Sequence, residues 1–368
     1  MRKGLALALL AAGLAVSTAV AASGPGAGLQ LGARILTPPP VTAASPWYVW
    51  DSSKCEYVAT AKHPATYHPV LRKIKGSMQI GYMHYGNIDP FGVANSSDIE
   101  KQAKAAGFKL NIYNLKFPSP TEPLVQAKTS VIKKDRGVIE ANQLPTLWTK
   151  LFKTLKEGCI PALQMYLRAP GVPSFGAVWS TAGTTQGTWL GQEGLKRHWD
   201  PAKTAFVECT NPDYGGSVNV MFDTAPPSLL KTGFKIPKGN IFKVVCKYQA
   251  QPSSETTVTD WFTAHPADKY PYVMINTIDD ETMQGVLNAM RRSHRTKNVL
   301  TIANGADKLG QAQLRSGQQS ASNAFFPEKY GQWSVAIMED ILSGKPVPGF
   351  IGTSTVVITK ANLSRYYR

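Results

Sequence analysis

Residues 78–117 read MQIGYMHYGNIDPFGVANSSDIEKQAKAAGFKLNIYNLKF, and three local signals divide them. The apolar, aromatic-containing run over residues 78–85 has strand composition, and a turn follows over residues 87–90, closed by Pro90. Helical spacing then runs to about Ala106, where Gly107 supplies the stop. Residues 109–115 form a second strand. A strand, a helix and a strand in this order predict parallel pairing, and a parallel sheet needs cover on both faces, so further units must follow.

They do. Helical stretches at 123–134 and 146–157 alternate with strand-like runs at 137–140 and 160–166. The rhythm then restarts: helix 185–199, strand 205–209, helix 217–231, strand 242–248, helix 256–264, strand 272–276, helix 279–293, strand 298–303, and helices 306–316 and 329–342. Two open α/β sheets of ordinary domain size account for 368 residues, 43% of them apolar. That composition excludes a disordered tail or a coiled coil.

Upstream the chain has a different character. Arg2 and Lys3 precede an apolar run over residues 5–16, and Ala19-Val20-Ala21 offers small residues for cleavage, so residues 1–22 read as a secretory leader. The run is shorter than the roughly 20 residues that span a bilayer. Residues 23–46, with GPGAG and TPPP, have linker composition, and residues 46–75 form an aromatic-rich extension too short for a core of its own. The net charge of +16 raises nucleic acid as a partner, but on an exported chain it reads as a solvated surface.

Catalytic signatures are missing. There is no GxSxG, and Ser174 in GVPSFGA lacks the glycine spacing; GxxxxGK[ST] and HExxH do not occur either. His63 and His68, the closest histidine pair, are poorly spaced for a metal. Asp279 and Asp280 follow a strand and open a helix, where open α/β sheets bind ligands, which predicts one ligand contact and one helix cap. Four cysteines, Cys55, Cys159, Cys209 and Cys246, allow three complete disulfide pairings in an oxidising compartment.

The stretch at 80–117 resembles the opening of the type I periplasmic solute-binding proteins of bacterial ABC transporters, the ribose- and galactose-binding group. DDETMQGVLNAM at 279–290, the run from VLTIANGADKLG to ILSGKPVP at 299–348 and VVITKANLSRYY at 356–367 continue the resemblance in order. It implies two Rossmann-like lobes with parallel sheets, joined by three crossings and closing on a ligand. The crossings are expected near 180–185, 322–327 and 352–354. Residues 75–181 with 327–352 then form the N-lobe, and 184–326 with 353–368 the C-lobe, preceded by the leader (1–22) and the linker with its extension (23–74).

The resemblance also implies binding residues. Tyr85 ends the first strand, Asp89 accepts from ligand hydroxyls and Phe91 stacks on a sugar face. Arg168 matches a family arginine whose carboxylate neighbour is here Leu167, a departure that points away from a strict ribose or galactose ligand. Asn219, Asp279, Asn304 and Phe325 fall on further family positions. Such residue types suit a buried hydroxylated ligand, since each unpaired hydroxyl costs about 1–3 kcal/mol.

Lobes that must hinge would be locked by a bridge between them, so the expected pairings are Cys55 with Cys159 and Cys209 with Cys246. The function implied is that of a periplasmic, monomeric, non-enzymatic binding protein without a cofactor or metal, which delivers a sugar, polyol or related polar molecule to a membrane permease. The alternatives are a sensor that presents its ligand to a chemoreceptor or histidine kinase, and an exported enzyme using a carboxylate as acid or base.

Overall fold

The computed structural model describes residues 46–84, 89–114, 119, 121–141, 145–212, 215–247, 251–353 and 355–367. The leader, most of the linker and Tyr85 lie outside them. The chain opens with an antiparallel hairpin, β1 (Trp47–Asp51) and β2 (Glu56–Thr60), in register from Trp47 opposite Thr60 to Asp51 opposite Glu56. There follow β3 (Met78–His84), α1 (Pro90–Ala106), β4 (Phe108–Asn114), α2 (Glu122–Ile132), β5 (Val138–Glu140), α3 (Trp148–Glu157), β6 (Ala162–Met165) and β7 (Ser174–Ala177).

The second half runs through α4 (Trp179–Lys196), β8 (Thr204–Thr210), α5 (Gly216–Lys231), β9 (Ile241–Val245), α6 (Gln251–Ala264), β10 (Tyr272–Thr277), α7 (Asp280–Arg292), β11 (Val299–Gly305), α8 (Lys308–Ser316) and β12 (Ala321–Ala324). The chain then returns through α9 (Tyr330–Leu342), β13 (Val347–Pro348) and β14 (Phe350–Thr353), and ends with β15 (Val356–Ile358).

Two six-stranded sheets result, ordered β14-β7-β6-β5-β3-β4 and β15-β12-β11-β10-β8-β9. All pairs are parallel except β15, which runs antiparallel to β12. The fold is therefore α/β with two Rossmann-like lobes. The chain passes between the sheets three times: from β7 into α4, from β12 into α9, and from β14 to β15.

Both faces of each sheet are covered. Along the second sheet, Val207 and Ile275 pack on one side with Trp261 and Val286, while Phe206 and Met274 pack on the other with Leu190 and Phe234. In the first, Tyr82, Phe175, Tyr330 and Trp333 share one core. Helix α1 starts where expected because Asp89 caps it and Pro90 supplies the preset first φ, and it stops at Gly107, which adopts φ 88°.

Two helices begin earlier than expected: α6 at Gln251 instead of residue 256, and α4 at the first crossing. The latter begins at Trp179, so residues 180–185 lie within α4 and do not form a free crossing. Ser180, Thr181, Gly183 and Thr184 have poor helix propensity, which hides the first turns; packing against α5 decides the matter. At Gly187 a Cβ would lie 2.0 Å from the Ala225 carbonyl oxygen, so the backbones meet directly. Residues 321–324, partly expected as a crossing, are β12.

The aromatic extension packs on the first half. β1 pairs with β13, the Tyr57 hydroxyl donates to the Ala162 carbonyl at 2.7 Å, and Tyr67 and Arg72 both reach the Asp340 carboxylate, at 3.0 and 3.1 Å. Disulfides join Cys55 to Cys159 and Cys209 to Cys246. The first ties the hairpin to the end of α3, and the second links β8 to the residue after β9.

Candidate functional site

Parallel sheets present the carboxyl ends of their strands and the amino ends of the following helices to one side, and here both sheets turn that side to a shared cleft. The cleft holds about 580 Å³ of space, part of it open to solvent. Asp89, Phe91, Tyr166 and Tyr330 line it from the first half; Asp279, Glu281, Asn304 and Asp307 line it from the second. Trp179 and Phe325, beside two of the crossings, complete it.

Three of the carboxylates sit there for the same local reason. Asp89 accepts the Gly92 amide at 2.5 Å, Asp279 that of Thr282 at 2.6 Å, and Asp307 those of Leu309 and Gly310 at 2.8 and 3.0 Å. Each is the N-cap of its helix, so the residue that satisfies the helix start also brings charge to the cleft. Glu281, in the first turn of α7, is only 7% exposed, and no N–H or hydroxyl of the described residues donates to its Oε1.

The electrostatics follow from burial. Burial, with Asp307 nearby, lifts Asp279 to about 6. Glu281 is pushed well above the carboxylate range by burial and then by the charges of Asp307, Asp279 and Asp89. Burial also raises Asp307, and its hydrogen bond with Glu281 partly offsets the rise. His84, at the end of β3, is driven down to about 4 by burial and stays neutral.

Asp280 has a different place from Asp279. It is fully buried behind the cleft, where its Oδ1 accepts from Gln319 and Ser322, both at 3.0 Å. It therefore ties α7 to the region of β12. Asn304 also holds the wall together: its amide nitrogen reaches the Ile278 carbonyl at 2.8 Å, and its oxygen accepts from Asn323 at 3.2 Å.

The rings form two groups. Phe91 lies 5.8 Å from Tyr166 and 5.9 Å from Tyr330, and Trp179 meets Phe325 edge-on at 5.4 Å. Tyr166 adopts φ 69°, which turns its ring inward; a Cβ on Gly176 would stand 2.7 Å from the Tyr166 Cα, so glycine is required beneath it. The Trp179 indole N–H donates to the Tyr166 carbonyl at 3.2 Å and links the two groups.

Of the residues singled out from the sequence, the structure gathers Asp89, Phe91, Asp279, Asn304 and Phe325 at the cleft. Arg168 stands outside it and is exposed, because Tyr166 takes the inward position and Leu167 is buried. Asn219 is not on the cleft wall either; its amide donates to the Gly215 carbonyl of its own helix at 2.8 Å. Tyr85 is outside the described residues. The sequence reading missed Tyr166, Trp179, Glu281, Asp307 and Tyr330. For Glu281 and Asp307 the signal was present, an acidic residue in the first turn or at the cap of a helix after a strand.

Among the described residues, no group of three or more His, Cys, Asp or Glu is arranged to hold a metal ion, and no helix is long and apolar enough to cross a membrane. No family model and no curated protein sequence matches the chain. Solved structures do resemble it. A Caulobacter myo-inositol binding protein, bound to myo-inositol, is 19% identical over 81% of this chain and 98% of its own, with a TM-score of 0.67.

A galactofuranose binding protein gives 15% identity over 78% and 96%, with a TM-score of 0.67. The periplasmic binding component of the arabinose ABC transporter from Shewanella sp. ANA-3, bound to L-arabinofuranose, gives 14% over 78% and 94%, again with a TM-score of 0.67. At these identities the likeness establishes the fold, that of the type I periplasmic binding proteins.

Proposed function

We propose that this chain is the exported, periplasmic substrate-binding component of an ABC importer, which captures a small polar ligand of the sugar or polyol class and delivers it to a membrane permease. The observation that carries this reading is a cleft between two lobes in which hydrogen-bonding carboxylates face a cluster of tilted and edge-on aromatic rings. Rings cover the apolar faces of a polyol, and carboxylates take its hydroxyl protons. Solved proteins of the same fold, described as binding inositol or furanose sugars, support the ligand class.

Capture works by closure about the three crossings. A ligand that touches Phe91 on one lobe and Asp279 on the other gains both sets of contacts only when the lobes are together, so its differential affinity shifts the population to the closed form. No nucleophile with an adjacent base stands in the cleft among the described residues, which favours binding over catalysis.

The test is a thermal-shift screen of refolded, ligand-stripped protein against pentoses, hexoses, polyols and sugar derivatives. A ligand at a hundredfold its Kd adds about 2.7 kcal/mol to stability, a readable rise in Tm. The expected result is a hit in the sugar or polyol class that Phe91→Ala removes. Chemical turnover of the hit, or silence across the panel from folded protein, overturns the reading.

A further inference from the structure

The cleft has a one-sided electrostatic character that a neutral polyol does not need. Asp89, Asp279, Glu281 and Asp307 line it, and among the described residues no Lys, Arg or His lines it with them. The chain as a whole carries +16, so the cleft is opposite in sign to the molecule around it. Lys101 and Lys308 are exposed on a neighbouring groove that Asp89 also lines, where Asp98 and Glu328 accompany them. Arg168, the cation that the family resemblance places at the ligand, points to solvent.

Glu281 is the observation that turns an acidic cluster into a site. It is more than nine-tenths buried, lines the cleft, and has a carboxyl oxygen to which no N–H or hydroxyl of the described residues donates. A buried acceptor of this kind calls for a donor from the ligand. The carboxyl groups also come from both lobes, Asp89 from one and the other three from its partner, so a positive charge between them would meet acids of both lobes at once. Phe91, Tyr166 and Tyr330 offer ring faces beside that position, and aromatic faces attract ammonium groups as well as sugar faces.

We infer that the ligand of this cleft carries a protonated amine on a hydroxylated body, an amino sugar or amino polyol, with the amine held between Glu281, Asp279 and Asp89. The inference rests on the polyol-capture reading and narrows it. Amine and closure are then coupled, because the positive charge neutralises acids contributed by both lobes and holds them together. Donors arranged for a metal are absent among the described residues, so an organic cation is the matching charge.

Matched pairs test this by calorimetry on the full-length mature protein: glucosamine against glucose, galactosamine against galactose, and glucamine against sorbitol. In at least one pair the amine is expected to bind about tenfold or more tightly than its neutral partner. Glu281→Gln, which keeps the shape of the side chain, should remove most of that preference, and Asp279→Asn is a second variant should the first fail to fold. If neutral members bind as tightly as amines, or the preference survives in folded variants, the amine inference is overturned while polyol capture stands. If no member of any pair binds, capture of a polyol fails and the inference fails with it.

Discussion

The two halves share one strand order, yet they place opposite polar groups in the equivalent strand. In the first sheet β3 ends in His84, buried and held to about 4; in the second β8 carries Glu208, buried and raised to about 8. Their cleft walls differ in the same sense. The first half offers rings seated on an aromatic core, Phe91 and Tyr166 around Tyr330 and Phe175, whereas the second offers carboxyls seated on helix ends. One backbone plan can therefore carry two chemistries, because packing sets the scaffold while the first residue of each helix sets what the cleft sees.

The contrast can be broken most severely at the contact between α4 and α5. Gly187→Leu places side-chain atoms where the Ala225 carbonyl oxygen lies only 2.0 Å from a Cβ, and the expected loss exceeds about 4 kcal/mol in urea unfolding. Hydrogen exchange should show the damage centred on the second half. The matching change in the first half is Phe175→Ala, which empties a fully buried site among Tyr330 and Trp333; about 3–5 kcal/mol is expected, with exchange rising in the first half.

Titration sharpens the comparison without a mutation. His84 falls from 6.5 to about 4 on folding, so the stability it contributes is complete above 6.5 and is lost as pH drops toward 4. Glu208 rises from 4.5 to about 8, so its effect has the opposite sign: stability is complete below 4.5 and is lost as pH climbs to about 8. At about 1.36 kcal/mol per pKa unit, the acid limb is worth at most about 3 kcal/mol and the alkaline limb at most about 5 kcal/mol. Glu208→Gln should flatten the alkaline limb and leave the acid limb unchanged; a flat profile in the wild-type protein would remove the contrast.

The smallest expected effect is on the surface. Lys243→Ala breaks a solvent-exposed pair with Asp223 at 2.9 Å and should cost under about 1 kcal/mol, measurable in urea and diminished by salt.

Much of this was legible in the chain. The β3, α1 and β4 unit could be read because strand composition, a proline-initiated helix and a glycine stop agree over residues 78–117, Asp279 because it follows a strand and opens a helix, and Asp89 because the family resemblance places a ligand contact at that turn. Trp179 was hidden by the weak propensities of the residues after it, whose helicity depends on contact with α5, 40 residues away in sequence. Tyr166 was hidden because one left-handed residue decides which of three neighbours points inward, and that choice depends on Gly176 in the next strand. Side-chain direction at a strand end is a tertiary property, and motif register alone assigned the position to Arg168.

The hairpin at the front of the chain has a mechanical consequence. Trp47 is paired to β13, Tyr67 is bonded to Asp340 on α9, and Cys55 is covalently joined to Cys159. A pull applied at Trp47 is therefore borne by the first half, through a covalent link and a sheet loaded along its length. Strand pairing, carboxylate bond and disulfide all end there, so a molecule held by its front end is held by its first half.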